Sequence, residues 1–388
     1  MTRHKRRKIA GMLRLCILLA LPAVTAVSAK QIPKLKSFFD RMGSISIEDN
    51  SQAVSESQPE HSTMPTAENS LKDEFILSEG YGVSEETEES TEVLTETENP
   101  LETVAENAGD KPYPSEESWT AGGTIVRTTY GKYSGNSFFN LDNGGQVNNQ
   151  TSIPNETLLS ESRCGADFTV ENTDEPLVLI YHTHTTESFE PYVREYYDAN
   201  FNYRTTDETK NMVMVGDAIQ AELEAQGIGV IHARTIHDYP SYNGSYGRSR
   251  ETILPILEEY PSIKVVLDIH RDAVSGEGVA YQPFVEIDGK EASQIMIISG
   301  CDDGTLGMPD FMKNFHFACR LQERLENDYA GLTRPILFDY RHYNQDLTTG
   351  SLLIEVGSHG NTLEQSQYAG QLIGSSLGRL LNSMKEEN

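Results

Sequence analysis

Along the second half of the chain, short unbroken apolar runs alternate with stretches whose apolar residues recur every three or four positions, as strands interleaved with helices do. Leu177 to Tyr181 predicts a buried strand, and Met212, Val215, Ile219 and Leu223 mark one face of a helix ending near Gly227. Gly229 to Ala233 predicts the next strand. Gly247 to Tyr260 predicts a helix that Pro255 kinks or delays, and Ile263 to Ile269 another buried strand. Phe284 to Ile287 and Ile295 to Ser299 read as an antiparallel pair. A helix opening at Pro309 turns Met312, Phe315, Cys319 and Leu325 inward, and a short strand follows at Pro335 to Phe338. Ser351 to Val356 is the last apolar strand, and Asn361 with Glu364 caps a final helix bearing Tyr368, Leu372, Ile373 and Leu377. The sum is an α/β fold with a mixed central sheet flanked by helices.

Upstream the pattern fades in stages. Between Trp119 and about Pro154 a strand-like run, Thr124 to Tyr130, gives way to Gly- and Asn-rich turns, so residues 118–165 read as a small β-rich lead-in to a main domain at 166–388. Residues 30–117 are dominated by Glu, Ser and Thr with no apolar period and predict a disordered, self-repelling linker. Residues 1–29 begin with Arg3, Lys5, Arg6, Arg7 and Lys8 and continue in an apolar run broken only by Arg14, which is an export signal. It either stays as a single-pass membrane anchor or is cleaved at the small residues Val27, Ser28 and Ala29, and the anchored form places the domain outside the cell membrane.

Charge narrows the function. The 388 residues carry a formal charge of -28 and lack clustered Lys and Arg beyond the N-terminus, which argues against nucleic acid as partner. Cys16, Cys164, Cys301 and Cys319 follow no metal or disulfide spacing.

In open α/β sheets ligands bind beyond the carboxyl ends of the strands, and three predicted strands end in imidazoles and carboxylates. His182-Thr183-His184-Thr185-Thr186-Glu187 follows the first, His270-Arg271-Asp272 follows Ile269, and Glu355 lies in the last strand with His359 just beyond. Two histidines and a carboxylate are a standard catalytic zinc set, because they leave the fourth position open to water. His184, Glu187 and His270 meet that need, with Glu355 as the proton-transferring catalytic residue. His182 remains an alternative to His184, since two residues flanking one position of an extended segment face the same way. Arg248, Arg250 and Arg271 are candidates for binding a peptide carboxylate through their bidentate forks, or for salt bridges inside the domain.

Four motifs in order resemble the stage II sporulation protein P family: Tyr181 to Phe189; Ser241 to Gly244 with Arg248 to Thr252; Asp268 to Ala273; and Ile354 to Thr362. The resemblance implies a membrane-anchored zinc hydrolase of peptidoglycan acting in forespore engulfment, with N-acetylmuramoyl-L-alanine amidase and cross-link endopeptidase activities. It also implies sporulation proteins D, a lytic transglycosylase, and M as partners. Related cell-wall amidases carry their middle Glu ligand at the start of the first helix, which here singles out Glu208 as a rival to Glu187. A carboxypeptidase-like peptide hydrolase and a non-catalytic wall-binding scaffold are the competing readings.

Overall fold

Val, Ile and Leu runs too apolar for one wet face build a sheet that is covered on both sides. In chain order the elements are β1 (Ala121–Thr128), β2 (Phe138–Asn140), β3 (Gln146–Asn149), α1 (Asn155–Glu161), β4 (Pro176–Tyr181) and β5 (Tyr196–Asp198). Then come α2 (Val213–Ala225), β6 (Gly229–His232), α3 (Ser245–Glu259), β7 (Val265–Asp272), β8 (Ser275–Gly276), β9 (Val279–Ile287) and β10 (Lys290–Ser293). The chain continues with β11 (Ile295–Cys301), α4 (Phe311–Asp328), β12 (Ile336–Tyr340), β13 (Gly350–Ser358) and α5 (Leu363–Glu386). This computed structural model describes residues 110–115, 118–276 and 278–386, all inside one unit, Asp73–Asn388.

The main sheet is mixed, with order β2-β3-β12-β11-β13-β7-β4-β6. β13, β7, β4 and β6 are mutually parallel, whereas β11 runs antiparallel to β13. Alternate residues of these strands serve two cores. Val178, Ile180, Leu267, Ile269 and Ile354 bury against Val215 and Ile219 of α2, Phe315 of α4 and Ile373 of α5. Leu179, Tyr181 and Val266 bury against Ile253 of α3 on the other face. Each such Ile or Leu removed from water contributes roughly 1.5–3 kcal/mol.

Two expectations need correcting. Phe284 to Ile287 does not pair with Ile295 to Ser299: β9 pairs antiparallel with β10, while β11 lies in the main sheet. The cause is the Asp288-Gly289 turn, where both residues have positive φ, 51° and 76°, the backbone a two-residue hairpin with right-handed strand twist requires. The last helix is capped by Thr362 and Gln365 rather than Asn361 and Glu364: Gln365 N donates to Thr362 Oγ1 at 3.2 Å and Thr362 N donates to Gln365 Oε1 at 3.0 Å. Pro255 sits inside α3, which starts at Ser245 without delay; the proline is on the exposed side, where water can serve the carbonyl it leaves unbonded. The lead-in packs on the main domain: β2 and β3 extend the main sheet and Leu158 of α1 is in its core.

β1 joins a second sheet of order β10-β9-β1-β5, with β8 also on β9. The expected linker yields its end to the domain: Lys111 N donates to Thr206 Oγ1 at 2.9 Å and the Tyr113 hydroxyl to Phe189 O at 2.8 Å. Segment 1–29 and residues 30–109 lie outside the described residues, among which no helix is long and apolar enough to cross a membrane. Cys164, Cys301 and Cys319 are free thiols.

Candidate active site

Because β4, β7 and β13 run parallel, their carboxyl ends share one edge of the sheet. Glu355 is the register partner of His270, and Tyr181 that of Asp268. The two-residue period of β7 places Asp268, His270 and Asp272 on one side of the sheet. Five buried ionisable groups, Glu187, Asp268, His270, Asp272 and Glu355, are thereby concentrated where burial without partners is costly.

The threonines after β4 decide where the histidines go. Thr183 N donates to Asp268 Oδ1 at 2.8 Å and its hydroxyl to Oδ2 at 2.7 Å, while Thr186 N and its hydroxyl donate to the two oxygens of Asp238 at 3.0 and 2.6 Å. The segment therefore turns instead of extending, and His182 and His184 diverge. His184 swings over β7, its ring 5.1 Å from that of His270, stacked on Tyr242 at 4.5 Å and edge-on to Tyr246. His182 drops toward α2 and β6. Its Nδ1 donates to the carbonyl of Ile269 at 2.8 Å, since a carbonyl only accepts, and its Nε2 meets His232 Nε2 at 2.9 Å.

Glu187 Oε2 accepts from the backbone N–H of Arg271 at 3.1 Å and lies 3.8 Å from His270 Nδ1. On the far side of that ring, Asp268 Oδ1 stands 2.8 Å from Nε2. Burial works against a charge on His270, but Asp268, then Glu187 and Glu355, outweigh it and raise the imidazole to about 9. His184 behaves oppositely: burial, then His270 and Arg204, hold it down to about 2, so it is neutral. Glu355 is pushed up to about 8, by burial first and Asp272 second, with His270 opposing. Its Oε2 is buried without a hydrogen-bond partner, as are His270 Nε2, which Asp268 approaches out of line, and His359 Nδ1.

A family model described as stage II sporulation protein P matches residues 44–377. The chain belongs to this family. The curated stage II sporulation protein P of Bacillus subtilis (strain 168) is 30% identical over 207 residues, 50% of this chain and 49% of that protein, so the chain spans about half the length of the relative it matches. Among solved structures, the CwlD amidase of Clostridioides difficile in complex with the GerS lipoprotein is 11% identical, covering 55% of this chain and 100% of that one at a TM-score of 0.33. An N-acetylmuramoyl-L-alanine amidase of Clostridium difficile 630 is 15% identical, covering 56% and 100% at 0.33.

In this member of the family, not every candidate joins the cluster. Glu208 is exposed in a turn before α2. Arg248 donates to the carbonyls of His237, Asn243 and Ser241, and Arg250 makes a bidentate pair with Asp346 at 2.8 and 2.7 Å. Arg271 is buried and donates to Ser188 O, Tyr203 O and Asp272 O. All three guanidinium groups thus serve internal acceptors.

Other residues reach the site without having been singled out. Arg204 donates to Asp238 at 2.6 Å and to Glu187 Oε1 at 3.4 Å, from a stretch with no apolar period to signal it. Arg334 is buried, donates to Asp272 Oδ2 at 2.8 Å, and leaves Nε and one terminal nitrogen unpartnered. Tyr246 stacks between His270 and Tyr343, which its place as the second residue of α3 announces only once the helix start is known.

The cluster fits a tetrahedral metal in chemistry and in part in spacing. Glu187 Oε2 and His270 Nδ1 are close to the roughly 3.3 Å that separates two ligands about 2.0 Å from a shared zinc, and Asp268 backs the imidazole as carboxylates commonly do behind metal-binding histidines. Both ring nitrogens of His184 face hydroxyls, Tyr242 at 3.1 Å from Nε2 and Ser245 at 3.4 Å from Nδ1. Among the described residues, the group whose ligand atoms all lie within 4.8 Å of one another is a different one, Glu161, Cys164 and His316.

Proposed function

We infer that the protein is a zinc-dependent peptidoglycan hydrolase, an N-acetylmuramoyl-L-alanine amidase with cross-link endopeptidase activity, working in forespore engulfment. The observation that carries this is the meeting of His184, Glu187 and His270 with Glu355 at the carboxyl ends of three parallel strands, in a member of a sporulation family. His184, Glu187 and His270 would hold the metal. A zinc ion there supplies Lewis-acid polarisation of the scissile carbonyl and brings the pKa of water toward about 7.

Glu355, buried and with Oε2 unpartnered, would act in its ionised form, which the charge of a nearby bound cation favours, accepting the proton of the attacking water and returning it to the leaving amine. Asp272, paired with Arg334, keeps that carboxyl's proton affinity high. Tyr242, exposed beside His184 and with the Arg204 guanidinium 4.8 Å from its ring centroid, would border the substrate. An anchor at 1–29 and a tether through 30–109 would hold the domain outside the cell membrane, within reach of the wall and of sporulation proteins D and M.

Digestion of purified wall sacculi tests the reading. Intact stem peptides with a free N-terminal alanine are expected from the native chain, with a roughly 10²- to 10⁴-fold fall for Glu355→Gln. Trimmed peptides alone would favour the carboxypeptidase-like reading, and no products at all the scaffold.

A further inference from the structure

A second group of metal-binding side chains lies away from the strand ends. His316 of α4 has both ring nitrogens on carboxylates, Nδ1 at 2.6 Å from Asp167 Oδ2 and Nε2 at 2.8 Å from Glu161 Oε2. Glu161 ends α1, and Cys164, exposed, follows three residues later with its thiol within 4.8 Å of the other two ligand atoms. Imidazole, thiolate and carboxylate together suit a borderline divalent cation such as Zn²⁺.

The ring's orientation points the same way. Asp167 stands behind Nδ1 while Nε2 faces Glu161, and a carboxylate behind a metal-binding imidazole fixes the ring in this manner.

We propose that Glu161, Cys164 and His316 bind a single zinc-class cation, with Asp167 as positioning residue, and that the ion fastens α1 to α4. Binding sends the thiol proton, and any proton on Nε2, to solvent, and water fills the remaining position. Two ligands on a tetrahedral zinc stand roughly 3.3 Å apart, so the Glu161–His316 contact opens by about half an ångström. Glu161, with its side chain 36% exposed, has room for that shift.

Cobalt(II) titration of the full-length, pre-reduced chain is the test, because a thiolate ligand gives the ion a near-ultraviolet charge-transfer band and the strand-end cluster contains no cysteine. A band saturating at a single cobalt per chain is expected, absent from Cys164→Ser, weakened in His316→Gln and intact in His270→Ala. Zinc content should also fall by a single equivalent in Cys164→Ser while wall hydrolysis is kept. No band in the native chain, or a band surviving Cys164→Ser, overturns the proposal. His270→Ala separates this result from the fate of the hydrolase reading.

Discussion

His270 links structure to pH dependence most directly. Its raised value, about 9 in the metal-free chain, means that it binds a proton through neutrality, yet a metal ligand must be deprotonated. Zinc uptake is therefore expected to release a proton and to tighten as pH rises toward 9, which calorimetry in buffers of different ionisation heat measures. For the metal-free fold the sign is the reverse. The charged imidazole beside Asp268 stabilises fully below pH 6.5 and that contribution fades as pH rises through about 9. Asp268→Asn should lower zinc affinity roughly 10- to 100-fold by freeing the ring, without removing a ligand. An unchanged dissociation constant would show that Asp268 does not orient the imidazole. Much of this was legible before any coordinates: His184, Glu187, His270 and Glu355 all follow from asking what ends each apolar strand. What stayed hidden was set by contacts distant in sequence. The divergence of His182 from His184 depends on Thr183 meeting Asp268, and Arg204 and Arg334 reach the site from segments without periodicity.

At the scale of elements, apolar runs located β4, β7 and β13 within a few residues, because full burial leaves no alternative period to confuse them. The failures were at turns and caps. Asp288-Gly289 signals a hairpin more strongly than the hydrophobicity of its flanks, and the Thr362–Gln365 box lies one residue beyond the Asn361–Glu364 spacing that imitates it. Thr362→Ala is expected to cost about 1 kcal/mol, read from denaturant unfolding. Behind the site, α2 approaches β4 and β6 through Gly216, where an added Cβ would stand 2.5 Å from His232 Nε2 and 2.8 Å from His182 Nε2. Both rings are buried, so Gly216→Ala should cost about 1–3 kcal/mol and disturb the turn that carries His184. A neutral result in both unfolding and wall digestion would show that the histidine pair is not a support for the site.

For the whole molecule, the charge of -28 and the basic, apolar N-terminus are what the proposal of an anchor and an acidic tether outside a membrane rests on. If residues 1–29 are retained as an anchor, fractionated sporulating cells should show the full-length chain in the membrane pellet and a chain lacking 1–29 in the soluble fraction. Equal distribution of the two would remove the anchor from the proposal. Everything rests, finally, on whether the strand-end cluster holds a metal. An anomalous difference map at the zinc edge, from crystals grown with zinc, answers that directly. The predicted result is a peak within about 2.0–2.2 Å of His184, Glu187 and His270 and beside Glu355. A chain that digests sacculi yet shows no peak between those residues would contradict zinc hydrolysis at this site.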